Sequence, residues 1–162
     1  MSARSALVGL VVRTVRFRRR VGLLVQGPGR IHLGSGAVIG PGARVARGAT
    51  LTVGDNVSIG ANFVCEVELT IGDDVMISSN VAFIGDDHEF GHAGATIQEQ
   101  PGRAPAVAFV AGDNLIGFGT TVLGSLTIGH GAIIGAGSLV TSSIPEEVVA
   151  YGRPARPARP RR

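Results

Sequence analysis

The chain has 162 residues, about the length of one domain, and 44% of them are hydrophobic, which supplies a core and excludes general disorder. Glycine occupies 25 positions and aromatic residues only 4%, so small branched side chains have to fill the interior, which favours a repetitive β architecture over a helical bundle. No apolar run approaches the roughly 20 residues of a membrane-spanning helix, and the single cysteine excludes an intramolecular disulfide.

The net charge of +3 conceals a segregation of charge along the chain. Eleven of the fifteen arginines lie in residues 1–20 and 153–162, which hold no acid, whereas residues 21–152 carry the other four arginines and all twelve acids. An acidic body disfavours nucleic acid as a partner, although the basic ends suit phosphates or anionic lipid. The lone cysteine fits a reducing compartment, and we expect a cytoplasmic protein.

The first 24 residues form a basic amphipathic segment. Four aliphatic residues share one face of a short helix predicted over residues 6–17: Leu7, Val8, Val11 and Val15. The apolar run is short, the heaviest basic cluster follows it and no cleavage pattern is evident, so it is no ordinary signal peptide. Two interpretations stay open: the helix packs on the protein or on another subunit, or it makes a peripheral contact with an anionic membrane.

From residue 25 to residue 145, aliphatic residues recur every six positions, usually followed by a small residue. The recurrence forms three series, separated by a two-residue offset and by a longer interruption. Their members are Leu33, Ile39 and Val45, then Val53, Ile59, Cys65, Ile71, Ile77 and Phe83, then Val110, Ile116, Val122, Ile128, Ile134 and Val140. A period of six is neither the 3.6 of a helix nor the 2 of a plain strand, so it predicts short strands bent at regular corners.

Three such strands make an 18-residue coil, and the sequence Leu-Thr-Val-Gly at 51–54 returns one coil later as Leu-Thr-Ile-Gly at 69–72. Stacking the coils at a strand spacing of about 4.8 Å places equivalent residues over one another and builds a triangular prism. The pattern resembles the hexapeptide repeat of left-handed parallel β-helices. We therefore predict an all-β fold, a left-handed parallel β-helix of about five coils, with Cys65 as an inward apolar residue.

The repeat is interrupted by a polar stretch, predicted as an extruded loop over residues 84–109. It concentrates two histidines and four acids: His88, His92, Asp86, Asp87, Glu89 and Glu99. A polar excursion from a rigid scaffold is a usual place for a functional site, and a solvated surface loop is the alternative. A neutral imidazole is a natural general base near neutral pH, so His88 is the candidate base, with Asp86, Asp87 or Glu89 as the candidate partner of its second nitrogen.

The stretch from Ile71 to His88, IGDDVMISSNVAFIGDDH, resembles the corresponding stretch of maltose and galactoside acetyltransferases. In that family an Ile-Gly-Asp motif precedes the catalytic histidine by the same separation. The resemblance implies that His88 takes a proton from the acceptor hydroxyl while that oxygen attacks the acetyl thioester directly, with backbone N–H groups stabilising the oxyanion. Glu66 or Glu68 lies in the region of the family's acceptor-side asparagine, and His92 either contacts the acceptor or is solvated.

The C-terminal stretch IGAGSLVTSSIPEEVVAYGRPAR resembles the segment IGAGSxVTKxIPxxxVxxGNPA of hexapeptide acetyltransferases. The resemblance implies an acetyl-CoA cleft along the last coils. The candidate cofactor-binding residues are Gly117, Phe118, Ala136, Thr141, Ser142, Arg153 and Pro154. Ser142 replaces a lysine near the 3′-phosphate, Arg153 replaces an asparagine, and Phe118 stands where a small residue is common. Arg153 is a candidate to restore the phosphate contact, because a guanidinium binds phosphate in a bidentate manner.

The last segment, residues 146–162, is rich in arginine and proline. We expect it to be extended or disordered beyond about Ala155. The predicted organisation is thus a basic segment over residues 1–24, a β-helix domain over residues 25–145 with its loop, and this tail.

These resemblances imply an acetyl-CoA-dependent O-acetyltransferase that acts on a hydroxyl of a sugar or related small acceptor, with no metal. They also imply a homotrimer with each active site between two prisms. A non-catalytic hexapeptide scaffold is the main alternative, because Ser142 and Phe118 depart from the donor motif. The second is a γ-type carbonic anhydrase with zinc on His88, His92 and His130, although the order of these histidines is reversed relative to that family's pattern.

Overall fold

The computed structural model describes residues 30–85 and 88–162, and this part of the chain forms seventeen β-strands and one short 3₁₀ helix, Ile97–Glu99. The strands wind through three sheets, which we call A, B and C. Sheet A contains β1 (Arg30–Leu33), β4 (Thr50–Val53), β7 (Glu68–Ile71), β10 (Val107–Val110) and β13 (Leu126–Ile128). Sheet B contains β2 (Val38–Ile39), β5 (Ser58–Ile59), β8 (Met76–Ile77), β11 (Leu115–Ile116), β14 (Ile133–Ile134), β16 (Val148–Gly152) and β17 (Ala155–Pro160). Sheet C contains β3 (Arg44–Val45), β6 (Val64–Cys65), β9 (Ala82–Ile84), β12 (Thr121–Leu123) and β15 (Leu139–Val140).

The register of the sheets follows the six-residue repeat. Leu51 pairs with Leu69 and Val53 with Ile71, one 18-residue coil apart, and all strand pairs of the coils are parallel. Fifteen strands make five complete coils, and β16 together with a bridge from Ile144 to Ile128 begins a further one, so the helix has about six turns. The segment over residues 1–24, including its predicted helix, lies outside the described residues.

The core of the prism consists of the predicted anchor residues. Fourteen of the fifteen anchors are buried, and Leu33 on the first strand is 38% exposed. Phe63 and Phe83 fill the wider part of the interior, with ring centroids 6.0 Å apart and planes tilted by 55°. Cys65 is fully buried, its Sγ–H donates to the carbonyl of Val67 at 3.3 Å, and burial raises the pKa of its thiol to about 11. The thiol is therefore protonated at neutral pH, as expected of an apolar core residue.

Three columns of turns join the sheets, and we name each by the sheets that it connects. The AB corner contains residues 34–37, 54–57, 72–75, 111–114 and 129–132. The BC corner contains residues 40–43, 60–63, 78–81, 117–120 and 135–138. The CA corner contains residues 46–49, 66–67, 85–106, 124–125 and 141–143. The extruded loop therefore belongs to the CA corner, and it spans 85–106 instead of 84–109, because strand pairing extends over Ile84 and begins again at Val107.

The arginine- and proline-rich tail is extended and ordered as a strand. β17 runs antiparallel to β16 at the edge of sheet B, where a proline costs no hydrogen bond on the open side. Arg161 then anchors the chain end: its Nη1 lies 2.8 Å from Oδ2 of Asp113 and donates to the carbonyl of Gly131 at 3.1 Å. The alternative of a disordered tail was wrong, because composition does not reveal this antiparallel pairing. Among the described residues, no helix has the length and apolarity needed to cross a membrane.

Asn114 is a buried polar residue, 2% exposed, that holds the AB corner together. Its Oδ1 accepts from the N–H of Gly112 at 2.9 Å, and its Nδ2 donates to the carbonyls of Gly129 at 2.7 Å and Ala132 at 3.1 Å. Asn114→Ala leaves the buried N–H of Gly112 without a partner and removes one of the two hydrogen bonds that each carbonyl accepts, the others coming from the N–H groups of Ala132 and Leu115. We therefore expect the free energy of unfolding to fall by about 2 kcal/mol in urea denaturation. Ser58→Ala, at an exposed strand position, is the matched control. Equal stability of the two variants would contradict this role.

Candidate active site

The extruded loop presents His88 on a short antiparallel ladder at the CA corner. His88 bridges Gly102 in antiparallel fashion, and the N–H of Glu89 donates to the carbonyl of Pro101 at 2.9 Å. The two limbs of the loop thus hold each other through the main chain. Because of this pairing, the backbone of His88 and Glu89 is held in place although the loop stands outside the prism.

The exposed side chain of His88 has one hydrogen-bond partner among the described residues. Its Nδ1 lies 3.1 Å from the carbonyl oxygen of Gln100. A carbonyl oxygen can only accept, so Nδ1 carries the proton and Nε2 of the neutral ring keeps its lone pair. This is the tautomer that a general base needs, with the basic nitrogen directed away from the contact.

Gln100 is buried within a loop whose other residues from 88 to 105 are at least partly exposed; its own exposure is 5%. Its Oε1 accepts from the N–H of His92 at 3.1 Å, and its Nε2 donates to the carbonyl of Ala95 at 3.4 Å. The side chain therefore ties the middle of the loop to the same residue whose carbonyl holds His88. Sequence reasoning missed Gln100, because a main-chain contact to the ring of His88 leaves no residue signature.

Of the acids predicted as partners of His88, Glu89 is the one among the described residues. Asp86 and Asp87 lie outside the described residues. The carboxylate of Glu89 lies 3.3 Å from Nε of Arg103, with both side chains about half exposed, and the Arg103 guanidinium lies 4.7 Å from the centroid of the Phe90 ring. In the structure the carboxylate of Glu89 thus pairs with Arg103, while Nδ1 of His88 meets a backbone carbonyl. Glu99 accepts from the N–H and the hydroxyl of Thr96, and these hydrogen bonds lower its pKa.

Five of the seven candidate donor residues come together at the BC corner. Gly117 and Phe118 follow β11, Ala136 occupies the same turn one coil later, and Arg153 and Pro154 follow β16. The turns are tightly stacked: the N–H of Gly137 donates to the carbonyl of Phe118 at 2.7 Å, and a Cβ on Gly117 would lie 2.5 Å from the nitrogen of Ala136. Arg153 Nη1 donates to the carbonyl of Gly137 at 3.2 Å, while the Phe118 ring is 56% exposed.

The other two candidates, Thr141 and Ser142, lie at the CA corner. Both are exposed and directly follow β15, which pairs with β12 and through it with β9, the strand that leads into the loop. The structure therefore brings Thr141 and Ser142 to the edge of the prism that carries His88. Within one chain, the column of Phe118, Ala136 and Arg153 lies along a different edge.

Glu66 also lies at the CA corner, one rung from the start of the loop. Its N–H donates to the carbonyl of Phe83 at 2.9 Å, and its side chain is partly buried. It borders a cavity of about 350 Å³ whose other lining residues, within the described part of the chain, are Arg44, Val45, Ala46, Arg47, Val64 and Cys65. The cavity is within the size range of small-molecule sites.

The three histidines of the carbonic anhydrase alternative are not brought together in one chain. His130 lies at the AB corner, whereas His88 and His92 lie in the loop at the CA corner. Over residues 30–85 and 88–162, no three histidine, cysteine or acidic side chains form a group suited to a metal ion.

Comparisons with known proteins agree with this architecture. No family model matches the chain. Galactoside O-acetyltransferase of Escherichia coli K12 is 34% identical over 129 residues, which is 74% of this chain and 62% of the relative. Serine acetyltransferase of Bacillus licheniformis is 36% identical over 122 residues, 75% of this chain and 48% of the relative. The chain thus spans less than two thirds of the length of these curated relatives.

Among solved structures, a hexapeptide-repeat acetyltransferase of Vibrio cholerae in complex with acetyl-CoA superposes with a TM-score of 0.71 at 26% identity, over 80% of this chain and 70% of that one. An N-acyltransferase of Bacillus cereus, in complex with dTDP-4-amino-4,6-dideoxyglucose and coenzyme A, superposes with a TM-score of 0.61 at 19% identity. The superposition covers 88% of this chain and 87% of that one. These likenesses confirm the predicted left-handed parallel β-helix. The chain is thus similar in sequence to galactoside O-acetyltransferase and to serine acetyltransferase, and similar in structure to a hexapeptide-repeat acetyltransferase.

Proposed function

We propose that the protein transfers an acetyl group from acetyl-CoA to a hydroxyl of a sugar or related small acceptor, with His88 as the general base. The observation that carries this proposal is the hydrogen bond from Nδ1 of His88 to the carbonyl of Gln100, which leaves Nε2 as a base on a fixed backbone. The homologous acetyltransferases, and the acetyl-CoA bound to the Vibrio cholerae structure, support the choice of donor.

The proposed reaction is a direct transfer. Nε2 of His88 takes the proton of the acceptor hydroxyl as the oxygen forms a bond to the carbonyl carbon of the thioester, and backbone N–H groups stabilise the oxyanion. The C–S bond then breaks, and the departing CoA thiolate takes the proton back from the imidazolium. The products are the O-acetylated acceptor and CoA with a free thiol, and His88 returns to its neutral state.

We place this reaction between two copies of the chain in a homotrimer. Phe118, Ala136 and Arg153 at the BC corner lie along a different edge of the prism from His88. A donor bound to the BC corner of one copy meets a base supplied by the CA corner of its neighbour if the prisms pack side by side. The guanidinium of Arg153 is the proposed partner of the 3′-phosphate, in place of the lysine that Ser142 replaces.

The test is acetyl-CoA consumption, followed by thiol release, across a panel of sugars and amino sugars, with CoA binding measured by calorimetry. We expect turnover with at least one hydroxyl acceptor and CoA binding without any acceptor. If the protein acetylates only amino groups, the proposal of O-acetylation is overturned, whereas acetyl-CoA remains the donor. If the protein neither binds CoA nor consumes acetyl-CoA, it is instead the non-catalytic hexapeptide scaffold, the alternative based on the departures of Ser142 and Phe118 from the donor motif.

Gln100 is expected to position His88 for this reaction. Gln100→Ala removes both side-chain hydrogen bonds that hold the loop, and small displacements of a catalytic group are costly, so we expect kcat to fall by about 10- to 100-fold. The KM for acetyl-CoA and the thermal midpoint of the prism should stay unchanged, because the loop lies outside the core. Gln98→Ala, an exposed glutamine two residues away, is the matched control. A fall in the thermal midpoint with unchanged kcat would indicate a purely structural role.

A further inference from the structure

The cavity beside Glu66 combines a small-molecule volume with two arginines. Arg44 lies on β3 and Arg47 in the turn that follows it, and both are exposed. Val64 and Glu66 also line the cavity, and Glu66 lies beside β9, the strand that leads into the loop. We propose that this cavity is the acceptor site and that it selects an acceptor with an anionic group, a carboxylate or a phosphate, bound by Arg44 and Arg47; this inference rests on the proposed function.

The charge distribution supports an anionic ligand at this place. Residues 21–152 hold only four arginines against twelve acids, and two of those four line this one cavity. Arg103, by contrast, is paired with Glu89. Neither Arg44 nor Arg47 forms an ion pair with another described residue. Guanidinium groups bind carboxylate and phosphate through paired hydrogen bonds, so two arginines on one wall match either group.

Glu66 is expected to orient the acceptor in the cavity. Its carboxylate repels an anionic group and accepts hydrogen bonds from hydroxyls. The anionic group of the acceptor is therefore directed to the arginines, and its hydroxyls are directed toward Glu66 and the loop. The partly exposed, apolar side chain of Val64 offers a surface for the carbon skeleton of a sugar ring.

The cavity is within reach of His88. The N–H of Glu66 donates to the carbonyl of Phe83 on the neighbouring strand, and neighbouring strands lie about 4.8 Å apart. The chain then passes through Ile84 and Gly85, and the three residues from Gly85 to His88 span at most about 10 Å. A hydroxyl of a ligand anchored at the arginines can thus lie beside the loop that carries the base.

The experiment compares three matched acceptors: galactose, galacturonate and galactose 6-phosphate. We expect kcat/KM to be at least tenfold higher for one of the two anionic sugars than for galactose. Comparing galacturonate with galactose 6-phosphate shows whether the site prefers a carboxylate or a phosphate. Arg44→Gln and Arg47→Gln should each lower kcat/KM for that sugar by about tenfold or more and so remove its advantage over galactose. Arg30→Gln, an exposed arginine of the same coil outside the cavity, should leave both unchanged.

Ligand binding without acetyl-CoA separates this proposal from the function itself. We expect galacturonate or galactose 6-phosphate, and not galactose, to raise the thermal midpoint of the wild type, and Arg44→Gln/Arg47→Gln to remove the rise. Anion-selective binding without any acetyl transfer would support the anion site formed by the two arginines, and would overturn both the proposed function and the role of the cavity as an acceptor site. Acetyl transfer that favours galactose, or binding that the double variant retains, would overturn the cavity proposal and leave the proposed function standing.

Discussion

Replacing His88 with alanine is expected to lower kcat for acetyl transfer by about 1000-fold and to leave the affinity for CoA unchanged, because a positioned general base contributes about 100- to 10,000-fold. The loop backbone should keep its shape, since the bridge to Gly102 and the side chain of Gln100 remain in the variant. The decisive measurement is single-turnover acetyl transfer beside a calorimetric titration with CoA.

His130→Ala is the matched control for this experiment. His130 is likewise exposed, but it lies at the AB corner, away from the loop. We expect wild-type rates from it. A His88→Ala protein that retains a tenth or more of the wild-type rate would show that another group accepts the proton. Partial recovery of the rate on adding imidazole would support a missing base over a displaced loop.

Phe63→Ala is expected to lower the free energy of unfolding by about 3–5 kcal/mol, a large share of the 5–15 kcal/mol typical of a domain. Phe63 and Phe83 are both fully buried and contact each other across the interior, so alanine leaves a cavity that small neighbouring side chains cannot fill. Urea denaturation followed by circular dichroism measures this loss. Phe63→Leu, which keeps most of the volume, should cost less than half as much.

Phe109→Ala provides the surface comparison, because that ring lies on the outer face of sheet A and is 42% exposed. We expect it to change stability by less than about 1 kcal/mol. The free energy of unfolding of the double variant Phe63→Ala/Phe83→Ala should fall by less than the sum of the two single variants. Either substitution alone already opens the cavity that the two rings share. Additive losses would mean that the two rings act separately.

The fold could be predicted because its repeat is geometric. Each anchor points inward only if the chain turns at the next corner, so a spacing of six specifies both the strand and the buried residue. The same counting places Gly117 after sheet B and Thr141 after sheet C. The division of the candidate donor residues between two corners therefore follows from the register. Asn114 is different: it occupies a turn position where the repeat does not prescribe a side chain.

The loop and the tail lie outside what periodicity can predict. His88 stood out through its histidine-rich, acidic surroundings and its family motif, whereas its observed partner is a carbonyl that any residue at position 100 supplies. The tail has the composition of a disordered segment, and only an edge strand of sheet B that accepts its antiparallel pairing makes it ordered. Both features depend on tertiary partners that a local pattern does not contain.

The buried, protonated thiol of Cys65 can serve as a probe of local unfolding. Thiol reagents attack the thiolate, so the folded protein should react only when β6 separates from its neighbours, and the labelling rate then measures how often the second coil opens. Since the chain has no other cysteine, every labelled molecule reports on that one coil. Because the folded protein does not react with thiol reagents, the thiol detected in the acetyl-transfer assay comes from the released CoA.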